Sequence, residues 1–215
     1  MHPGSVDTFE ALSTGRDGLE RYRVLHDFGQ YVLNGVQGAI LEIGVGESSY
    51  FLNILSEKFK RRIFHCDISP SKIVNPMTVP GYLSKDVVLI EEDGPLDGPC
   101  NLAIAYAGPS DKLFARFDLP TIAYAFIDGD HRYEQAAKDF WNAWPLLAPE
   151  GVIALHDTYP PDESWTDENR CGDVYRLRQE LEKNSEMDVL TLGRGCGIGV
   201  GISFIRKKRQ GYAYA

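Results

Sequence analysis

The sequence predicts an α/β fold built on a mostly parallel sheet, and three observations carry that expectation. Short apolar runs alternate with helical spacings at least four times, the pattern of strand–helix–strand units. One run, in ILEIGVGESS (Ile40 to Ser49), ends on two glycines two apart, where a buried strand must turn sharply into a helix. The last two runs, in MDVLTLGRGCGIGVGISFIRKK, have no helix between them and so suggest an antiparallel edge.

Taken in order, Arg21 to Gly35 sets Tyr22, Leu25, Phe28 and Val32 on one helical stripe and closes on Gly35. GAILEIGVG is a short buried strand, and serine opens the next helix, with Phe51, Leu55 and Phe59 on one face. RIFHCDIS is a second strand, and Pro70 stands in the first turn of the helix after it. Within the poorly patterned segment from Val74 to Pro99, DVVLIEEDGPLDGP reads as a strand and a turn. NLAIAYAGPSDKLFARF is a strand, a glycine turn and a short helix, and TIAYAFIDGDH is a strong strand. Tyr133, Ala137, Phe140, Trp144 and Leu147 then fall at helical spacing, with a break near Pro145. After the turn APEG comes the strand GVIALHDT, a polar loop from Tyr159 to Gly172, and the helix DVYRLRQELEKNS.

The composition bounds what this fold can do. With 215 residues, 43% apolar and 25% charged, the chain suits one soluble domain with its own core. Expected boundaries are 1–37 for an N-terminal segment and helix packing on the core, 38–207 for the domain proper, and 208–215 for a tail. A net charge of −9 argues against a broad nucleic-acid footprint, and RKKR (Arg206 to Arg209) reads as the solvated end of a strand. Cys66, Cys100, Cys171 and Cys196 lie far apart, which fits neither a zinc knuckle nor a disulfide scaffold. No run approaches the ~18 apolar residues of a spanning helix. The N-terminus lacks the pattern of a secretory signal, so a cytoplasmic location is expected.

In such sheets ligands bind beyond the carboxyl ends of the strands. Gly44 allows the backbone to approach a ligand, and the free N–H groups of the helix from Ser48 face the same space. Glu42 suits an ammonium or a ribose better than a pyrophosphate. Because Ser49 replaces the third glycine of G-x-G-x-x-G, the turn alone is equally compatible with a purely structural role. Asp67 ends the second strand, where a carboxylate can accept from two ribose hydroxyls or cap the helix at Pro70, although Ser69 can cap instead. Two further strand ends finish in polar groups: Asp128, Asp130 and His131, and then His156, Asp157 and Thr158. Carboxylates and histidines after buried runs are costly without partners or a task. Asp128, His156 and Asp157 can converge on a divalent ion, whereas Asp130 reads as the cap of the helix from His131.

Together ILEIGVGESS, FHCDIS, AYAGPSDKL, FIDGDHRYEQAAKDFWNAWPLLAPEGVIALHD and GRGCGIGVGISF resemble the class I S-adenosylmethionine-dependent methyltransferases, over roughly Gly38 to Lys207. More narrowly, they are similar to the catechol O-methyltransferase-like branch. The resemblance implies a Rossmann-like, doubly wound sheet of about seven strands, mostly parallel with an antiparallel final strand. It implies S-adenosylmethionine as cofactor, with Glu42, Gly44, Gly46, Ser48 and Ser49 around its methionine part. Asp67 would hold its ribose, Ser110 would lie near the adenine, and Asp128 would stand where cofactor and metal meet. It implies a divalent ion, Mg2+ or another, on Asp128, His156 and Asp157, though a histidine departs from the Asp-Asn and Glu-Asp pairs of well-known members.

Methyl transfer is an in-line displacement at a sulfonium methyl group, so the protein must align the acceptor and make it nucleophilic. A metal can do the latter; without one, His131 or His156 can take the proton. The expectation is therefore O-methylation of a small-molecule hydroxyl, assisted by Asp128, His131 and His156. Neither nucleic acid nor membrane is expected as a partner, and a homo-oligomer is left open. The loop from Tyr159 to Gly172 is expected over the acceptor side. The alternatives are a catalytically inactive nucleoside-binding or scaffold protein, an NAD-dependent oxidoreductase, and a metal-dependent hydrolase using His156 and Asp157.

Overall fold

The apolar runs become strands of one sheet because both of their faces are covered. In the computed structural model, which describes residues 22–69, 87–91, 103–167, 169–193 and 200–209, β1 (Ala39–Ile43), β2 (Ile63–Asp67) and β5 (Ile122–Ile127) are buried at every position. They are joined by β3 (Val87–Glu91), β4 (Ala103–Ala107), β6 (Leu147–His156), β7 (Met187–Leu192) and β8 (Ile202–Lys207). The order across the sheet is β3-β4-β2-β1-β5-β6-β8-β7, parallel except that β8 runs against both β6 and β7. Strand order reverses between β1 and β5, and a crevice opens at such a switch.

The period of two assigns each strand residue to a face. Leu41, Ile43, Phe64, Ala125, Ile127, Ile153 and Leu155 pack on one side, under α3 (Ser110–Arg116), α4 (Tyr133–Ala143) and α5 (Val174–Leu181). Ile40, Ile63, Tyr124, Phe126, Val152 and Ala154 pack on the other, under α1 (Arg23–Gly35) and α2 (Ser48–Phe59). Tyr124, fully buried, donates its hydroxyl to Leu25 O at 3.0 Å and ties α1 to the centre of the sheet. By the same alternation Glu42 and His65 point toward α2, into an otherwise apolar layer. Among the described residues no helix is long and apolar enough to cross a membrane.

The expected mostly parallel sheet with an antiparallel final strand is present, and the strand read in DVVLIEEDG, Val87–Glu91, pairs in parallel along the open edge of β4 as one of eight described strands. Three local expectations need correction. APEG is not a turn before β6 but part of it: the register with β5 jumps from Ile122↔Leu147 to Tyr124↔Val152, a bulge that accommodates Pro149. No serine caps α2; Glu47 is its cap residue, and the Ser48 and Ser49 hydroxyls turn back to Glu42. Asp130 accepts from the Arg132 amide and guanidinium, while Asp173 Oδ1 accepts the first amide of α4, from Tyr133, at 2.5 Å. The helix at Pro70, the rest of the segment 74–99, the glycine-rich turn at 194–199 and the two chain ends lie outside the described residues.

Candidate active site

The site begins where β1 stops. Gly44 has φ +87°, and a Cβ there would stand 1.9 Å from the Asp128 carbonyl oxygen, so only glycine lets the tips of β1 and β5 close on each other. Gly44 N–H donates to Cys66 O and Asp128 N–H to Ile43 O, which aligns three strand tips. At Gly46 a Cβ would meet nothing within 4 Å, so the turn faces open space.

Beneath this turn lies a closed polar network. Glu42 is 0% exposed and accepts from Ser48 Oγ at 2.6 Å and Ser49 Oγ at 2.7 Å. His65 Nδ1 lies 2.5 Å from its second oxygen, and His65 Nε2 lies 3.2 Å from Asn53 Oδ1. Asn53 in turn donates to Ser49 O at 2.7 Å, and Gly46 N–H donates to Ser49 Oγ. Glu42 thus faces the protein, although the sequence suggested a ligand-facing acid.

Asp67 is 7% exposed at the tip of β2 and accepts from the amides of Val45 at 3.0 Å and Ser69 at 2.8 Å. It lines a cavity of about 360 Å³ that runs past Gly44, Gly108 and Ser110 to Gln135 and Asp139 on α4. Ser110 Oγ donates to Asp139 Oδ1 at 2.5 Å. Burial pushes the Asp139 carboxyl up to about 6, against the pull of Ser110 and Gln135. A larger recess of about 500 Å³ lies between α1 and the β6–β8–β7 edge, away from the strand tips. Its charged residues are taken up in the pairs Arg206–Asp188 and Arg209–Glu150.

On the far side of Gly129 and Asp130, the tips of β5 and β6 bring four titratable groups together. His156 Nδ1 lies 3.1 Å from Asp128 Oδ1 and 3.3 Å from Asp157 Oδ1. Neither approach has hydrogen-bond alignment, so these are ion-pair contacts. His131 Nε2 lies 3.2 Å from Asp157 Oδ2 and 3.8 Å from Asp128 Oδ1. Burial alone would lower the His156 imidazolium, but Asp128 foremost and then Asp157 raise it to about 10. Burial likewise opposes the Asp128 carboxylate, yet His156 and then His131 hold it well below the usual range. Contact with Asp128 raises His131, and burial opposes that rise.

Asp157 adopts φ +58°, a strained conformation for a residue other than glycine. Ligand atoms of Asp128, His131 and Asp157 lie within 4.8 Å of one another, a set that takes His131 where the sequence suggested His156. The end of the polar loop holds His131 in place. Its ring hydrogen-bonds to the Arg170 backbone, its carbonyl accepts from Asp173 N–H, and a Cβ on Gly172 would collide with that carbonyl. Buried Cys171, pushed up to about 12 by burial and by Asp157, closes the same side.

Sequence reasoning missed Asp139 and the partnership of His65 with Glu42. The signal for Asp139 was its place four residues after Gln135 on one helix face. His65 lies under α2 against Glu42 and Asn53, partners distant in sequence, with no signal in its own strand.

The family described as methyltransferase domain matches residues 41–158. Solved structures share the fold at low identity. Cofactor-bound Rv0187 from MTB is 15% identical, covers 96% of this chain and 99% of its own, and has a TM-score of 0.62. The O-methyltransferase TomG from Streptomyces achromogenes, in complex with SAM, is 15% identical over 88% of this chain and 80% of its own, TM-score 0.58. SAH-bound PaMTH1 from Podospora anserina is 16% identical over 97% and 99%, TM-score 0.54. No curated protein matches the chain.

Proposed function

The chain belongs to the methyltransferase domain family, and on that premise we propose that it carries a methyl group from S-adenosylmethionine to a hydroxyl of a small molecule. One observation carries this reading. A buried carboxylate, Asp67, shares a cavity with the glycine turn after β1 and with Ser110, and the Asp128–His131–Asp157 set adjoins it through Gly129 and Asp130.

The chemistry of these residues fits a nucleoside sulfonium. Asp67 stands at the tip of β2 in the wall of the cavity, where a carboxylate suits two vicinal hydroxyls. The open side of Gly46 leaves room for the amino-acid tail, and the cavity volume is that of a small-molecule pocket. The neighbours with SAM or SAH bound agree with this cofactor. In this reading Gly44 and Gly46 border the methionine part, and Ser110 lies near the base. Ser48, Ser49 and Glu42 act from below, holding the shape of the turn.

The donor set of two carboxylates and one imidazole suits a divalent ion, Mg2+ or another, held by Asp128, His131 and Asp157. Such an ion, when bound, lowers the pKa of an acceptor hydroxyl and fixes its position. The Arg170 backbone orients the His131 ring, as the outer partners of ligating histidines do. His156, 3.1 Å from Asp128 and 3.3 Å from Asp157, fixes both carboxylates from behind. Asp128, at the junction of cavity and cluster, aligns the acceptor with the methyl group.

Transfer of a tritiated methyl group from S-adenosylmethionine to a panel of small-molecule hydroxyl acceptors, with and without a chelator, tests this reading. Transfer that a chelator abolishes and Mg2+ restores is expected. Cofactor binding without transfer to any acceptor would favour a binding protein instead.

A further inference from the structure

The sheet stops at β7 without any device that would stop it. Among the described residues β7 stands at the end of the strand order and pairs with β8 alone. The register runs unbroken from Met187↔Lys207 to Leu192↔Ile202, and MDVLTL contains no proline, glycine or lysine. Bulges, prolines and lysines are what blunt a sheet edge; without them a row of backbone N–H and C=O groups is open to another strand. The one charge on β7, Asp188, is cancelled by Arg206 at 3.0 Å on the neighbouring strand. Cover on the α1 side ends one strand short, where Phe28 stacks on Phe204 of β8 with ring centroids 4.0 Å apart. Beyond it Leu190, opposite Phe204, is 49% exposed, and Tyr31 on α1 is 82% exposed. The recess of about 500 Å³ lies between them.

We propose that β7 pairs with β7 of a second copy of this chain, antiparallel across a two-fold axis, so that one sheet runs through a homodimer. Only another strand fills a strand edge, and an edge that meets itself across a two-fold leaves nothing open, whereas pairing β7 with the β3 edge of the next copy would propagate without end. Charge favours the same place. At a net charge of −9 two copies repel, and they approach most readily where the local charge cancels. The rim of the recess does cancel, with Glu150 and Asp188 against Arg206 and Arg209. Register follows from the side chains. With Leu190 facing its counterpart, Val189 faces Thr191 and Asp188 faces Leu192, which makes an apolar cross-strand pair at the axis. A register centred on Asp188 would instead set two carboxylates opposite each other. The axis stands perpendicular to the sheet, so both recesses open on one side and the two α1 helices flank a shared groove. The proposal is independent of the cofactor reading, because no residue of β7 lines that cavity.

Sedimentation equilibrium of the full chain, alone in solution, tests it. Twice the chain mass is expected at about 50 µM, within reach of an interface of modest size. Leu190→Lys adds a charge at an exposed position of the pairing edge and should weaken association at least about 30-fold. Hydrogen exchange locates the contact: amides within Met187–Leu192 should exchange at least about 10-fold more slowly in concentrated than in dilute wild type. A chain that stays monomeric to about 200 µM overturns the proposal. So does a dimer that Leu190→Lys leaves intact, or one that gives β7 no added protection. If Leu190→Lys does not fold, the exchange measurement on the wild type decides by itself.

Discussion

Replacing Glu42 by glutamine separates a ligand-facing acid from one that holds the turn. The carboxylate has three partners, Ser48 Oγ at 2.6 Å, Ser49 Oγ at 2.7 Å and His65 Nδ1 at 2.5 Å, and is 0% exposed. Glutamine has nearly the same shape but offers one oxygen instead of two. If that oxygen stays on Ser49 and His65, the NH₂ confronts Ser48 and the buried hydrogen-bond network is mismatched. Leaving a buried hydrogen-bonding group without its partner costs about 1–3 kcal/mol. For a chain of this length each kcal/mol moves the melting temperature by roughly 2–4 °C, so a loss of about 2 kcal/mol is a fall of about 4–8 °C. Calorimetric melts give this number, and titration of the folded variant at low temperature with S-adenosylhomocysteine gives the other half. Because Glu42 does not line the cavity, affinity should change by less than about 5-fold. A melting temperature within about 2 °C of wild type, together with a 100-fold loss of affinity, would show that the carboxylate turns to the ligand.

Three other outcomes follow from the same geometry. Gly44→Ala forces a Cβ to within 1.9 Å of Asp128 O at φ +87°, so loss of more than about 4 kcal/mol is expected; a soluble variant with near wild-type urea stability would contradict it. Tyr124→Phe removes only the bond to Leu25 O, worth about 1 kcal/mol, and its denaturation midpoint should shift accordingly. Burial raises Asp139 from its ordinary 3.8 to about 6. The folded chain thus holds that proton more tightly than the unfolded chain, a stabilisation fully present below about 3.8 and lost as pH rises through about 6. Its size is on the order of 3 kcal/mol. Urea titrations from pH 4 to 7 should show this decline in wild type but not in Asp139→Asn, and parallel curves would refute it.

Much of the fold was legible because burial on both faces writes itself as uninterrupted apolar runs. Ile122–Ile127 is such a run, and Ala39–Ile43 is one broken only by Glu42. Boundaries set by partners distant in sequence were not legible. Nothing near Leu147 says that it pairs with Ile122 through a bulge, and nothing near Tyr133 says that Asp173, 40 residues away, caps its helix. The site divides in the same way. Gly44, Asp67, Asp128 and Asp157 could be picked out because acids and glycines at strand tips are unusual there. The direction of Glu42 could not, since the pleat turns it under α2, where His65 from the neighbouring strand meets it. Both histidine rings lie beside the two carboxylates, and the place of His131 there depends on Gly172 and Asp173 in a loop distant in sequence, which its own segment does not announce.

The account depends most on a nucleoside whose ribose is held by Asp67. Calorimetric affinity for S-adenosylhomocysteine, compared between wild type and Asp67→Ala, tests this directly. Two hydrogen bonds to a charged acceptor are worth about 3–5 kcal/mol together, so the variant should bind roughly 10²- to 10⁴-fold more weakly. A wild type that does not bind at millimolar ligand, or an Asp67→Ala that binds as tightly as wild type, would contradict the account.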